Sequence, residues 1–309
     1  MEVRTQIGIE VSGESLRYAE VTFTGEDWHL TRLGSCNFSF DVADAILDRS
    51  FDATRAGEVR QALEEALGGT HDAQLRLALH PNQGFSFFVP VEAQLSDYER
   101  AQTFLKEART IVGPHQSPLH FVPQPLFVEE FSDSKAVVWY QINVLYKEVY
   151  ARFGEVVRGL GVREYKFCSL ETSVAKVIQL MHQKSGATVP PRLPFMLAMG
   201  IYDDHAEFLL CRTSNLHFST FAETVNPNDC AIHATQMMER LNFMPQLVGQ
   251  IYLYGNPVDI TAFAPMTFKF GVTPQYLNPA DLLGWQSEDL SSPQTLGAYV
   301  PCLGAALLA

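Results

Sequence analysis

The stretch QIGIEVSGES, residues 6–15, is the strongest indication of the fold, because it predicts a buried strand that ends in a tight polar turn. Two further strands are predicted at residues 16–23 and 28–33, where apolar and β-branched residues are frequent. A turn this short joins neighbouring strands as an antiparallel hairpin. The chain therefore opens on a three-stranded antiparallel meander.

The same pattern recurs in the second half of the chain. A strand ends at Gly200, a polar turn occupies residues 202–205, and further strands are predicted at residues 206–211 and 216–221. Because helices follow both meanders, the repetition predicts two related α/β lobes that face each other across a cleft. In such a cleft the paired turns would hold the phosphates of a nucleotide, so the residues of the turns decide the class of function.

The composition is that of a globular protein with room for two cores. The 309 residues are 47% hydrophobic and carry a formal net charge of −13. A charge of this sign and size argues against non-specific binding to nucleic acid or to an anionic membrane. We therefore expect no nucleic-acid partner.

The cysteines and the apolar runs predict a cytoplasmic protein. The five cysteines are widely spaced, without a C-x-x-C pair, which is typical of reduced thiols. The first residues lack the apolar region of a signal peptide, and no apolar run reaches the roughly 18 residues that a membrane span needs. We expect no direct insertion into a membrane.

The helix and strand patterns predict two lobes with an insertion. Residues 1–189 form the first lobe, with a small α+β subdomain inserted at about 75–165, and residues 190–309 form the second. Two prolines make residues 186–192 the clearest linker. The final apolar helix, about 293–309, is expected to pack back on the first lobe.

Individual elements follow from apolar periodicity and from capping residues. Helices are predicted at residues 57–67, 97–112, 146–160, 170–184, 227–242 and 278–283. Strands are predicted at residues 75–79, 85–91, 119–128, 136–145, 165–168, 250–253 and 269–273.

Four stretches resemble the actin-like superfamily and, within it, the PilM family of type IV pilus assembly proteins. Residues 7–21 are similar to its opening phosphate strand, turn and strand. Residues 147–173 are similar to the helix that leaves an inserted subdomain and to the strand end that follows. Residues 251–256 are similar to the adenosine loop, and residues 276–279 with 299–308 to the closing elements. The resemblance implies an α/β, actin-like (RNase H-like) two-lobe fold with a small α+β subdomain inserted in the first lobe.

The resemblance also implies where a nucleotide would bind. Small residues in the turns let backbone N–H groups reach the phosphates, and acidic residues at the strand ends hold Mg²⁺. The matching positions lie in the two turns, in the adenosine loop and near the attacking water. They are Glu10, Ser12, Gly13, Ser15, Arg17, Glu171, Asp203, Asp204, Gly255 and Asn256.

The chain departs from the family pattern at several of these places. Glu10 replaces the first Asp, and an ungapped alignment puts Gly200 at the second Asp and Tyr202 at a turn glycine. Pro257 in the adenosine loop has no N–H to donate. We therefore expect a degenerate ATP site, with no catalytic residue, no resident metal and no cofactor, although weak Mg-ATP binding stays open.

The resemblance implies a non-enzymatic cytoplasmic scaffold of a pilus or secretion machine. Such a protein would bind the cytoplasmic tail of an inner-membrane protein in a groove beside the inserted subdomain, and would be peripheral to the membrane through that partner. One alternative is a nucleotide-gated actin-like ATPase that uses Glu10 with Asp203 or Asp204 for magnesium. Another is a protein that forms filaments by self-association.

Other candidate sites have simpler interpretations. Glu10, Glu171, Asp203 and Asp204 can also be read as solvated or turn-forming carboxylates. Cys230 and His233 have the spacing of two ligands on a helix, but no second pair accompanies them, so they are interpreted as core and surface residues. The chain contains no G-x-S-x-G, H-E-x-x-H or P-loop motif, which excludes several common hydrolase classes.

Overall fold

The structure is a computed structural model, which describes residues 4–25, 27–47, 52–113, 118–130, 136–185, 193–212, 215–279, 282 and 292–308. Its strands are β1 (Arg4–Ser12), β2 (Ser15–Phe23), β3 (Trp28–Asn37), β4 (Ala73–Leu79), β5 (Phe85–Glu92), β6 (Leu119–Glu130), β7 (Ala136–Tyr146), β8 (Val162–Ser169), β9 (Phe195–Ile201), β10 (Ala206–Arg212), β11 (Asn215–Ala222), β12 (Val248–Gly255) and β13 (Gln275–Tyr276). Its helices are α1 (Val42–Leu47), α2 (Ala53–Leu67), α3 (Asp97–Val112), α4 (Lys147–Val156), α5 (Leu170–Ser185), α6 (Pro227–Arg240), α7 (Ala264–Phe270), α8 (Pro293–Gly297) and α9 (Val300–Leu307).

The first lobe is built on a five-stranded sheet in the order β3-β2-β1-β4-β8. Strands β1 and β2 are antiparallel, whereas β4 runs parallel to both β1 and β8. Side chains alternate between the two faces of β1, so Ile7, Ile9 and Val11 enter the core that α1, α2 and α4 cover. Gly8 and Glu10 consequently lie on the opposite face.

The second lobe repeats this sheet in the order β11-β10-β9-β12-β13. Helices α6 and α7 cover one face, where Phe208, Met238 and Phe263 are buried. The other face shares a single core with α5, α9 and the first lobe, because Ala198 and Leu209 lie in the same cluster as Val174 and Leu303. The two helices α5 and α9 therefore form a layer common to both sheets.

Helix α9 approaches the first lobe closely at two glycines. A Cβ atom added at Gly8 would overlap the backbone of Cys302, and one added at Gly304 would overlap the backbone of Ser173. Both helix contacts therefore need a residue without a side chain. The close packing holds the end of the chain against β1 and α5.

The inserted subdomain is smaller than the sequence predicted. Its three-stranded sheet has the order β5-β7-β6 and carries α3, so it covers residues 85–146 rather than about 75–165. Strands β4 and β8 belong to the first-lobe sheet, because Leu75 and Leu77 of β4 continue the core under β1. The sequence of a short apolar strand does not show which strand it pairs with. The predicted insertion therefore begins too early and ends too late.

Two other elements differ from the prediction. Residues 269–273 are not a strand: α7 buries Met266 and Phe270 one turn apart, and Gly271 ends it with a φ of +74°. The predicted last helix is two helices, α8 and α9, since Tyr299 and Pro301 interrupt the hydrogen-bond pattern between them. The predicted linker 186–192 and half of the predicted helix 278–283 lie outside the described residues.

None of the described helices is both long and apolar enough to cross a membrane.

Candidate functional site

The two polar turns have the same register. In the first hairpin Ser12 faces Ser15, and in the second the Tyr202 N–H donates to the His205 carbonyl oxygen at 3.0 Å. The strands on either side of the turns keep the same pairing. Glu10, which pairs with Arg17, therefore corresponds to Gly200, which pairs with Glu207. The structure thus agrees with the ungapped alignment of the two turns.

The second hairpin cannot present a carboxylate where the first presents Glu10. The ring of Tyr254, on the neighbouring strand β12, lies over Gly200, and a Cβ atom at Gly200 would come within 2.6 Å of it. The Tyr254 hydroxyl donates a hydrogen bond of 2.9 Å to Glu207 Oε2. An aromatic ring therefore takes the space of the acidic residue expected from the actin-like pattern.

His80 joins the two hairpins across the cleft. It follows β4 in a short turn, and its ring is buried between a carboxylate of each lobe. His80 Nε2 lies 3.0 Å from Glu10 Oε1, and His80 Nδ1 lies 2.7 Å from Glu207 Oε1. Each ring nitrogen is hydrogen-bonded to a carboxylate oxygen. An ionised carboxylate can only accept hydrogen bonds, so both nitrogens carry a proton and His80 is an imidazolium.

The pKa values agree with this assignment. Burial alone would lower the pKa of His80, but the charges of Glu207 and Glu10 and their hydrogen bonds raise it to about 10. Burial alone would raise the pKa of Glu207, but His80 and His205 hold it well below its usual value. The pair is therefore ionised across the neutral pH range.

Further contacts extend from His80 through both carboxylates and form a closed ring of side chains. On one side, His205 Nε2 lies 3.4 Å from Glu207 Oε1, and His205 Nδ1 lies 2.6 Å from Asp204 Oδ1. On the other side, Arg17 contacts Glu10 at 3.2 Å and donates to Asn256 Oδ1 at 2.7 Å. We call the closed set the inter-lobe polar ring: Glu10, Arg17, His80, Asp203, Asp204, His205, Glu207 and Asn256.

Asn256 completes the ring. Its side-chain N–H donates to Asp203 Oδ1 at 2.9 Å, next to Asp204 in the chain. One amide thus joins the cationic residue of the first lobe to the turn of the second. The two lobes are thus held together by side chains next to the two polar turns.

Tyr202 fills the space between the turns. Its ring is 2% exposed, stacks on His205 with centroids 4.9 Å apart, and meets the His80 ring edge-on at 4.6 Å. The ring thus points into the interface. It occupies the space through which a turn backbone would have to approach a phosphate.

A cleft of about 540 Å³ remains outside the ring. Its walls include Ser12 and Gly13 of the first turn, Asp203 and Asp204 of the second, and Asp41 beside α1. The carboxylates give this wall a negative charge, which repels a polyphosphate. Arg17, the cation that would oppose this charge, is already bound to Glu10 and Asn256.

The remaining predicted residues lie at the edge of the site or away from it. The Ser15 hydroxyl donates to Asn37 at 2.9 Å. Gly255 has a φ of +88° and packs on the backbone of Ile201, so chain packing alone requires a glycine there.

Glu171 lies outside the polar ring. Glu171 Oε1 accepts from Gln141 at 3.0 Å and from Ser219 at 3.2 Å, which joins α5 to the inserted sheet and to β11. Burial, and next the charge of Glu207, raise the pKa of Glu171 to about 7. The carboxyl is therefore poised to titrate near neutrality, although it faces no open cleft.

Sequence reasoning missed His80, Glu207 and Tyr254. His80 follows β4, which runs beside β1, and the ends of parallel strands meet at one edge of a sheet. His205 and Glu207 are two residues apart at the start of a strand, a spacing that puts side chains on one face. These two signals were present, whereas nothing in the sequence indicated that Tyr254 covers Gly200.

A second concave surface lies between the inserted subdomain and the second lobe. This aromatic groove, about 460 Å³ in volume, is lined by Phe127, Val128, Glu129, Trp139, Arg212, Asn215, Leu216, His217 and Phe243. Phe127 of β6 stacks on His217 of β11 with centroids 4.5 Å apart. The groove therefore runs along the contact between two sheet edges.

The Cys230 and His233 pair lies in ordinary surroundings. Cys230 is fully buried in the second-lobe core, and His233 packs against the Phe208 ring at 4.8 Å. Within the described ranges, the side chains that bring three metal-ligand atoms together are instead His80, His205 and Glu207.

The comparisons with known proteins concern the fold. No protein-family model matches the sequence, and no curated protein matches it. A chain of the "PilM-PilN type IV pilus biogenesis complex" matches over 98% of this chain and 97% of that chain, with a TM-score of 0.71 at 16% identity.

Two further solved structures are similar at lower scores. A protein of unknown function with an actin-like ATPase fold, from Bacteroides thetaiotaomicron, matches over 88% of this chain and 91% of its own, with a TM-score of 0.50 at 11% identity. The ethanolamine utilization protein EutJ from Carboxydothermus hydrogenoformans matches over 100% and 90%, with a TM-score of 0.50 at 10% identity. The chain has an actin-like fold, as its sequence predicted.

Proposed function

We propose that this chain is a non-enzymatic actin-like scaffold of a pilus or secretion machine, located in the cytoplasm. It binds the cytoplasmic tail of an inner-membrane protein and is held at the membrane by that partner. The observation that carries the proposal is the inter-lobe polar ring: His80, Glu207 and the Tyr202 ring fill the space between the two polar turns, where we place the nucleotide position of the actin-like pattern. The likeness to a chain from the PilM-PilN complex supports the assignment to such a machine.

The ring argues against a nucleotide cycle because its charges are already paired. A phosphate would have to displace Glu10 from Arg17, leaving buried Glu10 with His80 as its cation, which it shares with Glu207. Breaking a buried ion pair typically costs about 3 to 5 kcal/mol. The lobes are also bridged directly through His80, so opening the cleft would break the contact between His80 and Glu207.

The aromatic groove is the surface we assign to the tail. Among the described strands, β6 pairs only with β7 and β11 only with β10, so both are sheet edges. An edge strand offers backbone donors and acceptors to an added extended peptide. Phe127, Trp139 and Phe243 supply apolar surface between these edges, where a peptide side chain would lose water.

Charge complementarity indicates what kind of tail fits. Cytoplasmic segments next to a membrane span are rich in Lys and Arg. This chain carries a net charge of −13. Glu129 lies in the groove with Glu130 beside it at the end of β6, so two carboxylates accompany Arg212, the cation of the lining. The proposed occupant is therefore a short, extended tail with apolar residues between Lys or Arg residues.

Peptide titration tests the proposal. Synthetic tails of inner-membrane pilus and secretion proteins from the source cell are titrated into the full chain by calorimetry, with Trp139 fluorescence as a second signal. We expect one tail to bind, and Phe127→Ala and Trp139→Ala each to weaken it about tenfold or more, because aromatic residues dominate such interfaces.

Phe268→Ala is the matched control, since Phe268 is an aromatic residue with 87% exposure that does not line the groove. Its variant should bind the tail as the wild type does. The proposal fails if none of the tails binds, or if binding is indifferent to Phe127 and Trp139. A micromolar dissociation constant for Mg-ATP in the same instrument would instead favour the nucleotide-gated alternative.

A further inference from the structure

Three ligand atoms converge at the centre of the inter-lobe polar ring. They are His80 Nδ1 of the first lobe and His205 Nε2 and Glu207 Oε1 of the second, and all lie within 4.8 Å of one another. His80 Nδ1 and His205 Nε2 are 2.7 Å and 3.4 Å from the same carboxylate oxygen. Two imidazoles and one carboxylate are a frequent ligand set for zinc.

Each of the three side chains is also held from behind. His80 Nε2 bonds to Glu10 at 3.0 Å, and His205 Nδ1 bonds to Asp204 at 2.6 Å. The second oxygen of Glu207 accepts from the Tyr254 hydroxyl at 2.9 Å. Metal-binding histidines almost always donate their other N–H to a carboxylate or carbonyl, which fixes the ring and its tautomer.

We propose that His80 Nδ1, His205 Nε2 and Glu207 Oε1 bind a divalent transition-metal ion, with Zn²⁺ the best fit, between the two lobes. The ligand set distinguishes this ion from Mg²⁺, which prefers oxygen ligands. His80 and His205 line the open cleft, so water can supply a fourth ligand. The ion would lock the two lobes together between the polar turns.

The exchange of protons for the ion balances. Three metal–ligand bonds form, and each proton carried by His80 Nδ1 or His205 Nε2 leaves to solvent as its N–H bond breaks. The two positive charges of the ion replace the charge lost from the imidazoles, so Glu10, Glu207 and Asp204 remain compensated. Tetrahedral zinc ligands lie about 3.3 Å apart, so His80 Nδ1 and Glu207 Oε1, now 2.7 Å apart, need to separate by roughly 0.6 Å.

The experiment uses the full chain, stripped with a chelator and then dialysed against Zn²⁺ at pH 8, with metal content measured by elemental analysis. We expect one Zn²⁺ per chain and a higher melting temperature with the ion. Co²⁺ should give d–d absorption without a thiolate charge-transfer band, which distinguishes this site from the five cysteines.

Variants locate the ion. His205→Gln and Glu207→Gln each remove a ligand and should weaken Zn²⁺ binding at least 100-fold, whereas His233→Gln should bind as the wild type does. Asp204→Asn changes a side chain that is 79% exposed, so it should fold, and it should weaken binding about tenfold by releasing His205. Failure of the folded chain to bind stoichiometric Zn²⁺ would overturn the proposal, and so would full binding by His205→Gln.

Discussion

The two hairpins at the cleft share a backbone and differ in charge. In the first lobe Glu10 faces Arg17 across the strand pair; in the second, Gly200 faces Glu207. The first hairpin therefore supplies a cation to its carboxylate from within one strand pair. In the second hairpin His205 lies 3.4 Å from Glu207, but the shorter contact, from His80 at 2.7 Å, comes from the other lobe.

Two hairpins can thus share one backbone geometry and carry unlike side chains. Backbone hydrogen bonds preserve the register, while His80 and Asn256 connect the two hairpins through their side chains. Tyr254 covers Gly200, and Tyr202 fills the space between the turns. Four predictions test this comparison, and the first three are measured with a chelator present.

The largest effect is expected from making the second hairpin like the first. Gly200→Asp places a side chain into the Tyr254 ring and a further carboxylate beside buried Glu207. Steric overlap and an unpaired buried charge together should lower the free energy of unfolding by more than about 4 kcal/mol, or prevent folding. Denaturant unfolding measures the loss.

Gly57→Asp is the control, because no atom lies within 4 Å of a Cβ at this exposed position in α2. It should stay within about 0.5 kcal/mol of the wild type. Equal stability of Gly200→Asp and wild type would show that Tyr254 moves aside and that the second hairpin can still accept an acidic residue.

Removing the cation between the lobes should have the next largest effect. His80→Ala leaves Glu10 without one of its partners and Glu207 without its main one, both fully buried. Breaking a buried pair in this way should lower the free energy of unfolding by roughly 3 to 5 kcal/mol. His71→Ala, at an exposed position, should change it little.

A double-mutant cycle between His80→Gln and Glu207→Gln then isolates the contact between the lobes. Its coupling energy should be on the order of 1 to 3 kcal/mol, since the two groups are in direct contact. A coupling near zero would mean that the two lobes are not held together through this pair.

Glu171 provides a titration that differs from that of the ring. Its pKa is raised to about 7 in the folded chain, so its contribution to stability is fully present below about pH 4.5 and is lost as the pH rises through 7. The free energy of unfolding should fall by roughly 3 kcal/mol over this range in the wild type relative to Glu171→Gln. Denaturant unfolding at a series of pH values measures the difference, and parallel pH profiles of the two proteins would contradict it.

The smallest effect concerns the amide that closes the ring. Asn256→Ala removes one hydrogen bond to Arg17 and one to Asp203, both partly exposed to solvent. We expect a loss of about 1 kcal/mol in the free energy of unfolding. Asn82→Ala, at an exposed position of the same cleft, is the control, and an equal loss in both variants would assign no special role to Asn256.

Much of the fold could be predicted because it depends on local patterns. Alternating apolar residues identified the strands of both meanders, and the Ser96 and Glu99 capping pair identified the start of α3. The boundary of the insertion was wrong because the sequences of β4 and β8 do not show whether these strands belong to the first-lobe sheet or to the sheet that contains β5. Residues 269–273 were misread because the helical spacing of Met266 and Phe270 extends over a single turn.

Only the site residues near the two turns and in the adenosine loop could be predicted from the sequence. Glu10, Arg17, Asp203, Asp204 and Asn256 were identified, and the structure brings them into one ring. Glu171 was grouped with them but lies apart, among Gln141 and Ser219. His80 was not identified, because its place at the end of β4 indicates a site residue only once β4 is known to run beside β1.

The two matching hairpins and the helices around them could be predicted from the sequence, because each depends on neighbours within a few positions. The sequence also shows directly that position 200 is not acidic. Only the tertiary structure decided that His80 meets Glu207, 127 positions away, and that Tyr254 covers Gly200. The reason is physical: a buried charge needs a partner, and that partner is selected by which surfaces the packing of α5 and α9 brings face to face.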